Sequence, residues 1–192
     1  AYHLRLPDRR KLCMIDSPGF GDTRGIARDQ INLYRIFNFI RHLPHLNAIC
    51  LLLKSNESDL HPCFPSYFNQ LVDYFGHCIT DSLIFCYTNS RGTFFRPSNT
   101  QKLLGEFFKR QSINVKFQQK INTFSFDSES FRFLVAKRNS VQFSDDERVE
   151  FAQSWSKSTA EAHALLEVLH PQEGFRFKKG VKTYGQVRLD IE

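Results

Sequence analysis

Lys11-Leu12-Cys13-Met14-Ile15-Asp16-Ser17-Pro18-Gly19-Phe20-Gly21-Asp22-Thr23-Arg24-Gly25 is the stretch from which the rest of the chain is read. A largely apolar run meets an aspartate and then breaks into a Pro/Gly-rich loop. A run without polar alternation has the pattern of a strand covered on both faces, and the loop chemistry stops it at Asp16. Asp16 is therefore expected at the carboxyl end of an interior strand, the edge of an open α/β sheet at which ligands bind.

A carboxylate at that edge can hold Mg²⁺ directly or through water. At Gly19 the missing side chain lets the backbone N–H come close to a phosphate oxygen. Asp16-Ser17-Pro18-Gly19 at the end of an apolar strand resembles D-x-x-G, the third signature motif of P-loop GTPases, which senses the γ-phosphate and starts switch II. Gly21-Asp22-Thr23-Arg24-Gly25 makes the segment similar to the septin-like and AIG1-like branch of those proteins. The resemblance implies that Asp16 supports Mg²⁺ indirectly and that Gly19 meets the terminal phosphate. Thr23 and Arg24 are expected to contact a phosphate or an adjoining subunit, with a solvated loop arginine as the alternative.

Working outward, Tyr2 to Pro7 can pair with Lys11–Ile15 as a hairpin turning at Asp8-Arg9-Arg10. Residues 29–43 carry Leu33, Ile36, Phe37, Ile40 and Leu43 at helical spacing, closed by Pro44. Residues 48–53 form a second continuous apolar run, read as a buried parallel strand. Phe64, Tyr67, Phe68, Leu71, Val72 and Phe75 mark a helix with Pro65 in its first turn and Gly76 at its end. Residues 82–87 are the third buried strand.

Pro97 to Thr100 cap a helix through Leu103, Leu104, Phe107 and Phe108, and a last strand at 122–126 precedes a short helix at 130–137. Ser144-Asp145-Asp146-Glu147 is a capping box. It opens a long helix with an apolar stripe of Val149, Ala152, Trp155, Thr159, Ala162, Leu166 and Leu169. Pro171 ends it, and residues 171–192 form a basic tail in which Val187, Leu189 and Ile191 alternate like a strand.

Strand and helix alternation implies right-handed crossovers and a parallel sheet. The expected fold is α/β, a three-layer P-loop NTPase-like, mostly parallel sheet with helices on both faces. No G-x-x-x-x-G-K-[ST] occurs among the 192 residues. In the family this loop lies upstream of D-x-x-G, so the reading is of an N-terminally truncated chain that lacks the central first strand. Residues 1–170 are then a partial G domain.

The fourth GTPase motif, N/T-K-x-D, would follow residues 82–87, where the chain reads Thr88-Asn89-Ser90-Arg91-Gly92. Thr88 or Asn89 can take the first place, but Arg91 cannot accept a hydrogen bond and does not copy the guanine-reading carboxylate. Asp127-Ser128-Glu129 lies where the fifth motif touches the base; an acidic helix cap is the alternative for it. Phe20 stands where Ras-like enzymes place the glutamine that orients water, so hydrolysis is expected to be slow or partner-assisted.

Composition bounds these readings. No apolar run approaches the ~18 residues of a membrane span and no secretory signal pattern occurs, so a cytoplasmic protein is expected. The 20 phenylalanines point to an aromatic core. Five cysteines, an odd number, read as free thiols, with Cys13, Cys50 and Cys86 buried in strands. His61, Cys63, His77 and Cys78 lack zinc-knuckle spacing, and no haem signal is present. Residues 101–140 hold eight Lys and Arg against three acids within a chain of net charge +6. Without a nucleic-acid motif this reads as a solvated basic face.

Two functions follow. One is a GTP-binding switch protein or GTPase fragment using Mg²⁺ with GTP, partnered by a second copy or an effector. The other is a nucleotide-free pseudo-GTPase acting as a protein-interaction module.

Overall fold

The computed structural model describes residues 1–21, 24–43, 45–169 and 175–176, with the backbone alone at 77, 78, 175 and 176. A hairpin of β1 (Tyr2–Arg5) and β2 (Lys11–Met14) comes first, followed by α1 (Ile26–Ile40) and the short β3 (His45–Leu46). Then β4 (Ile49–Lys54), α2 (Phe64–Phe75), β5 (Leu83–Thr88), α3 (Ser98–Arg110) and β6 (Thr123–Ser125) alternate. α4 (Glu129–Arg138) and the long α5 (Asp145–Leu169) follow, and β7 (Phe175–Arg176) pairs antiparallel with β3.

β4, β5 and β6 form a parallel sheet in that order, with Leu51 opposite Phe85 and Phe85 opposite Thr123. β5 is the middle strand and is buried along its apolar length. Its period-two geometry divides the core. Leu83, Phe85 and Tyr87 enter a cluster with Leu33 and Phe37 of α1, Phe68 and Leu71 of α2, and Leu104 and Phe108 of α3. Ile84 and Cys86, with Phe124 of β6, face Leu165 and Val168 of α5. Helices therefore cover both faces of the sheet.

The phenylalanines concentrate in the larger cluster. Phe37 stacks on Tyr74 at 4.2 Å, and Phe68 meets Phe107 and Phe108 edge-on at 5.7 and 5.1 Å. Each buried Phe contributes roughly 1.5–3 kcal/mol by burial, and a well-oriented ring pair adds about 0.5–1.5 kcal/mol. α2 follows its sequence pattern closely: Phe64, Phe68, Leu71 and Phe75 are buried on one face and Pro65 sits in the first turn. Gly76 ends the helix at φ +81°, its N–H donating to the Val72 carbonyl at 2.7 Å.

The apolar strands at either side of this core differ from their reading. β2 is exposed along most of its length, and among the described residues its ladder is to β1 alone, Tyr2 opposite Met14. Asp16 thus follows an edge strand of a hairpin and not an interior strand of the parallel sheet. Among the described residues β4 pairs with β5 on one side only, and Leu52 is 64% exposed. Cys13 and Cys50 are accordingly exposed residues, while Cys86 is buried, its thiol hydrogen-bonded to that of Cys50. An apolar run reports what a strand can bury, and its neighbours decide what it does bury.

α5 opens on the expected capping box. The Ser144 N–H donates to Glu147 Oε2 at 2.8 Å, and the Glu147 N–H donates to Ser144 Oγ at 3.3 Å. Leu169 of the expected stripe packs against Ile84, Cys86 and Phe124, but over the rest of the helix the packed stripe is turned about its axis relative to the expected one. Phe151, Ser154, Ser158, Glu161, Leu165 and Val168 face inward, and Trp155 is 53% exposed. The reason is polar: the Ser125 N–H donates to Glu161 Oε2 at 3.1 Å, and the Asp127 N–H donates to Ser158 Oγ at 3.0 Å. These bonds satisfy the outer edge of β6 and fix the rotation of the helix.

Among the described residues no side chain caps α3 at its start. Ser98, Asn99 and Thr100 instead bond across to the loop after β4, with Thr100 Oγ1 donating to the Lys54 carbonyl at 2.7 Å and accepting from the Glu57 N–H at 2.9 Å. The alternating tail segment Val187, Leu189 and Ile191 lies outside the described residues, as does Pro44.

Candidate functional site

The carboxyl ends of β5 and β6 lie side by side, and the chain beyond each borders an open cavity of about 470 Å³. Asn89, Arg91 and Gly92 line it from beyond β5; Asp127, Ser128, Glu129 and Arg132 line it from beyond β6 and the start of α4. The volume lies in the range of small-molecule sites, roughly 300–1,000 Å³.

The loop from β5 is held by buried hydrogen bonds. Ser90 is fully buried, its N–H donating to the Phe126 carbonyl at 3.2 Å and its hydroxyl to the Tyr87 carbonyl at 3.0 Å. Asn89 is left-handed at φ +53°, a conformation that asparagine tolerates better than most residues, and its carbonyl accepts from Ser55 Oγ at 3.2 Å. Phe94 and Phe95 are left-handed as well, at φ +54° and +58°, and Phe94 is 84% exposed.

Arg91 joins three elements. Its backbone N–H donates to Asp127 Oδ2 at 3.0 Å, and its guanidinium pairs with Glu129 of α4 and Glu150 of α5 and lies 5.3 Å from the centre of the Phe151 ring. The hydrogen bond to Glu129 raises the Arg91 pKa further above its already high value, with Glu150 adding to it. Asp127 is also occupied, because its Oδ1 accepts from the Glu129 N–H at 2.8 Å. It is an acidic cap of α4, the alternative that the sequence left open.

Three polar groups of the lining make no side-chain hydrogen bond or ion pair among the described residues: the Asn89 carboxamide, the Ser128 hydroxyl and the Arg132 guanidinium. The cavity thus offers a ligand an amide donor and acceptor, a hydroxyl, and a five-donor cation. That set suits a flat heteroaromatic ring carrying carbonyl and amino groups.

The structure therefore brings Asn89, Arg91 and Ser128 into one cavity and leaves out Thr88, whose hydroxyl bonds the Leu53 carbonyl at 3.3 Å. Arg132 was missed in the sequence, although it stands four residues after Ser128 on a helix and so shares its face. Asp16, Gly19 and Arg24 lie apart from the cavity lining, exposed in the loop after β2. Thr23 lies outside the described residues.

That loop is anchored at its far end. The Phe20 ring packs against His61, Phe64 and Tyr67 at 5.7, 5.8 and 5.4 Å, and the Gly21 N–H donates to Asp29 Oδ2 at 3.2 Å. Gly21 is at φ +77°, and a Cβ there would lie 2.4 Å from the His61 ring. Gly19 has open space around the position of a Cβ.

These features define an α/β protein with a three-stranded parallel sheet, helices on both faces and a polar cavity at the carboxyl ends of two strands. Comparison of the chain with protein-family models, curated proteins and solved structures gives no match. Among the described residues no helix is long and apolar enough to cross a membrane.

Proposed function

We propose that the chain is part of a GTP-binding switch protein with a P-loop NTPase-like fold, and that the cavity beyond β5 and β6 takes the purine ring. The observation that carries this reading is the convergence of Asn89, Arg91 and Ser128 on one cavity, from the two segments where the sequence resembles the base-side motifs. The order of elements supports it, as do the helices on both faces of the sheet. Two apolar strands, β2 and β4, each have one edge without a strand partner among the described residues, where the family has its phosphate-loop strand.

Both oxygens of Asp127 accept backbone N–H groups, so this carboxylate does not take the place of the guanine-reading aspartate. Arg132 supplies different chemistry, since a guanidinium can donate two parallel hydrogen bonds to O6 and N7 of guanine. On the phosphate side, Asp16 is an exposed carboxylate without a protein partner among the described residues. It fits a supporting role toward Mg²⁺, whose remaining ligands in such sites are phosphate oxygens and water. Phe20 is held among aromatic rings and carries no group that orients water, so hydrolysis on this reading is slow or completed by a partner.

The second reading is a nucleotide-free interaction module. It is favoured by the lack of a phosphate-loop motif in the 192 residues and by the exposed Phe94.

Backbone NMR of residues 1–192 separates the two. Millimolar guanosine nucleotides are expected to bind weakly and to shift the amides of Asn89, Gly92 and Ser128, more than adenosine nucleotides do, with the guanine preference lost in Arg132→Ala. If guanosine nucleotides leave these amides unmoved, the nucleotide reading fails and the interaction module takes its place.

A further inference from the structure

α4 packs on α5 through one ridge. The buried Ser130 hydroxyl donates to the Phe151 carbonyl at 2.8 Å, and the Phe133 ring lies 4.7 Å from those of Phe151 and Phe143. The opposite ridge carries Phe131, Leu134, Val135 and Arg138, positions i, i+3, i+4 and i+7 of one helical face. Spacing of this kind normally marks a buried stripe. Here Phe131 is 62% exposed and Leu134 and Val135 are exposed with it, as is Val141 just beyond the helix.

The charged residues between Ser130 and Ser144 are all cations. Arg132 flanks the stripe on one side, Lys137 on the other, and Arg138 closes its end, all exposed. Lys137 and Arg138 also complement the carboxyl end of the helix dipole, but that does not account for the outward apolar ridge. A second copy of the same face is disfavoured as the occupant, because a two-fold contact would set these cations against each other. An apolar ridge with cations along its borders matches the interface of an anionic bilayer, where the ridge enters the acyl boundary and the cations meet the headgroups.

We propose that α4 is a peripheral membrane-docking face for anionic lipid, with Phe131, Leu134 and Val135 inserting and Arg132, Lys137 and Arg138 holding the headgroup layer. Arg132 also lines the cavity beyond β5 and β6, so Lys137, Arg138 and the apolar ridge are the residues that test the membrane face independently of the nucleotide reading.

Co-sedimentation of the full 192-residue chain with vesicles tests it. Binding to phosphatidylcholine vesicles carrying about a third phosphatidylserine is expected, weakening with salt, with little binding to phosphatidylcholine alone. Each cation strengthens such partitioning on the order of 5-fold, so Lys137→Glu with Arg138→Glu should weaken it by about 25-fold or more. Phe131→Ser with Leu134→Ser should also abolish sedimentation; both changes are at exposed positions, and an unaltered circular dichroism melt identifies the folded variants. The proposal is overturned if the parent does not sediment with phosphatidylserine vesicles, or if both folded variants sediment like the parent. It is equally overturned if the parent ignores vesicles but self-associates through this face, with the serine variant becoming monomeric in analytical ultracentrifugation.

Discussion

Ser158 satisfies both backbone polar groups of Asp127: its Oγ accepts from the Asp127 N–H and donates to the Asp127 carbonyl, each at 3.0 Å. One hydroxyl on α5 therefore positions the residue that caps α4 and receives the Arg91 N–H at the cavity. Ser158→Ala is expected to cost about 1–3 kcal/mol, because it strands two partly buried groups. Trp155→Ala, three residues earlier on the exposed side, is expected to stay within about 0.5 kcal/mol of the parent. Urea denaturation of both variants checks this, and a larger loss at Trp155 would refute the observed rotation of α5.

Phe94 holds a left-handed backbone with its ring in solvent. That conformation costs a non-glycine residue roughly 1–2 kcal/mol, and little burial is lost with the ring. Phe94→Gly should raise the melting temperature, corresponding to about 1 kcal/mol after the extra flexibility of unfolded glycine is counted. An unchanged or lowered melting temperature would mean that the Phe94 ring contributes more than the strain removes.

At Gly21 the opposite sign is expected. Gly21→Ala meets both the positive φ and the His61 ring. Adding His61→Ala removes the clash and leaves the backbone strain, so the double variant should recover part of the lost stability. Full recovery in thermal melts would show that the clash alone mattered.

Glu147 provides a pH-dependent term. The Ser144 N–H and hydroxyl stabilise its carboxylate and lower its pKa below the ordinary value. Because the folded pKa is the lower one, this contribution is complete above the ordinary carboxylate range and disappears as pH falls through the lowered value. NMR titration should place Glu147 below an ordinary glutamate, and Ser144→Ala should move it back up. Because the alanine keeps the backbone N–H, the return is expected to be partial, and no movement in that variant would assign the lowered value to the N–H alone.

Thr100 ties α3 to the chain beyond β4 through Lys54 and Glu57 while fully buried. Thr100→Val keeps the shape and leaves both backbone partners unpaired, for an expected loss of about 1–3 kcal/mol. Amide hydrogen exchange at Glu57 should rise in parallel; unchanged protection there would assign the loss to packing instead.

Much of the fold was legible along the chain. α2 declared itself by Phe64, Phe68, Leu71 and Phe75 between a proline and a glycine, and β5 by an unbroken apolar run that is buried because strands lie on both its sides. The capping box at Ser144 was legible because its partners are three residues apart. Asn89, Arg91 and Ser128 were singled out by the resemblance of their segments to the base-side GTPase motifs, which follow parallel strands that share an edge.

What the sequence alone determined was therefore local: which segments form helices and strands, where they stop, and which loops follow strand ends. The tertiary structure decided which apolar surfaces are covered. Lys11–Met14 and Ile49–Lys54 have the composition of buried strands yet, among the described residues, stand at edges, since burial depends on what lies alongside. It also decided the rotation of α5, where bonds from Ser158 and Glu161 to the edge of β6 turn Trp155 outward. Hydrophobic periodicity cannot register that choice, because its cause is polar and its partners lie more than thirty residues away. Arg132 joins the cavity for the same kind of reason: its helix is aimed there by Asp127, and only the folded chain brings Asp127 beside Arg91.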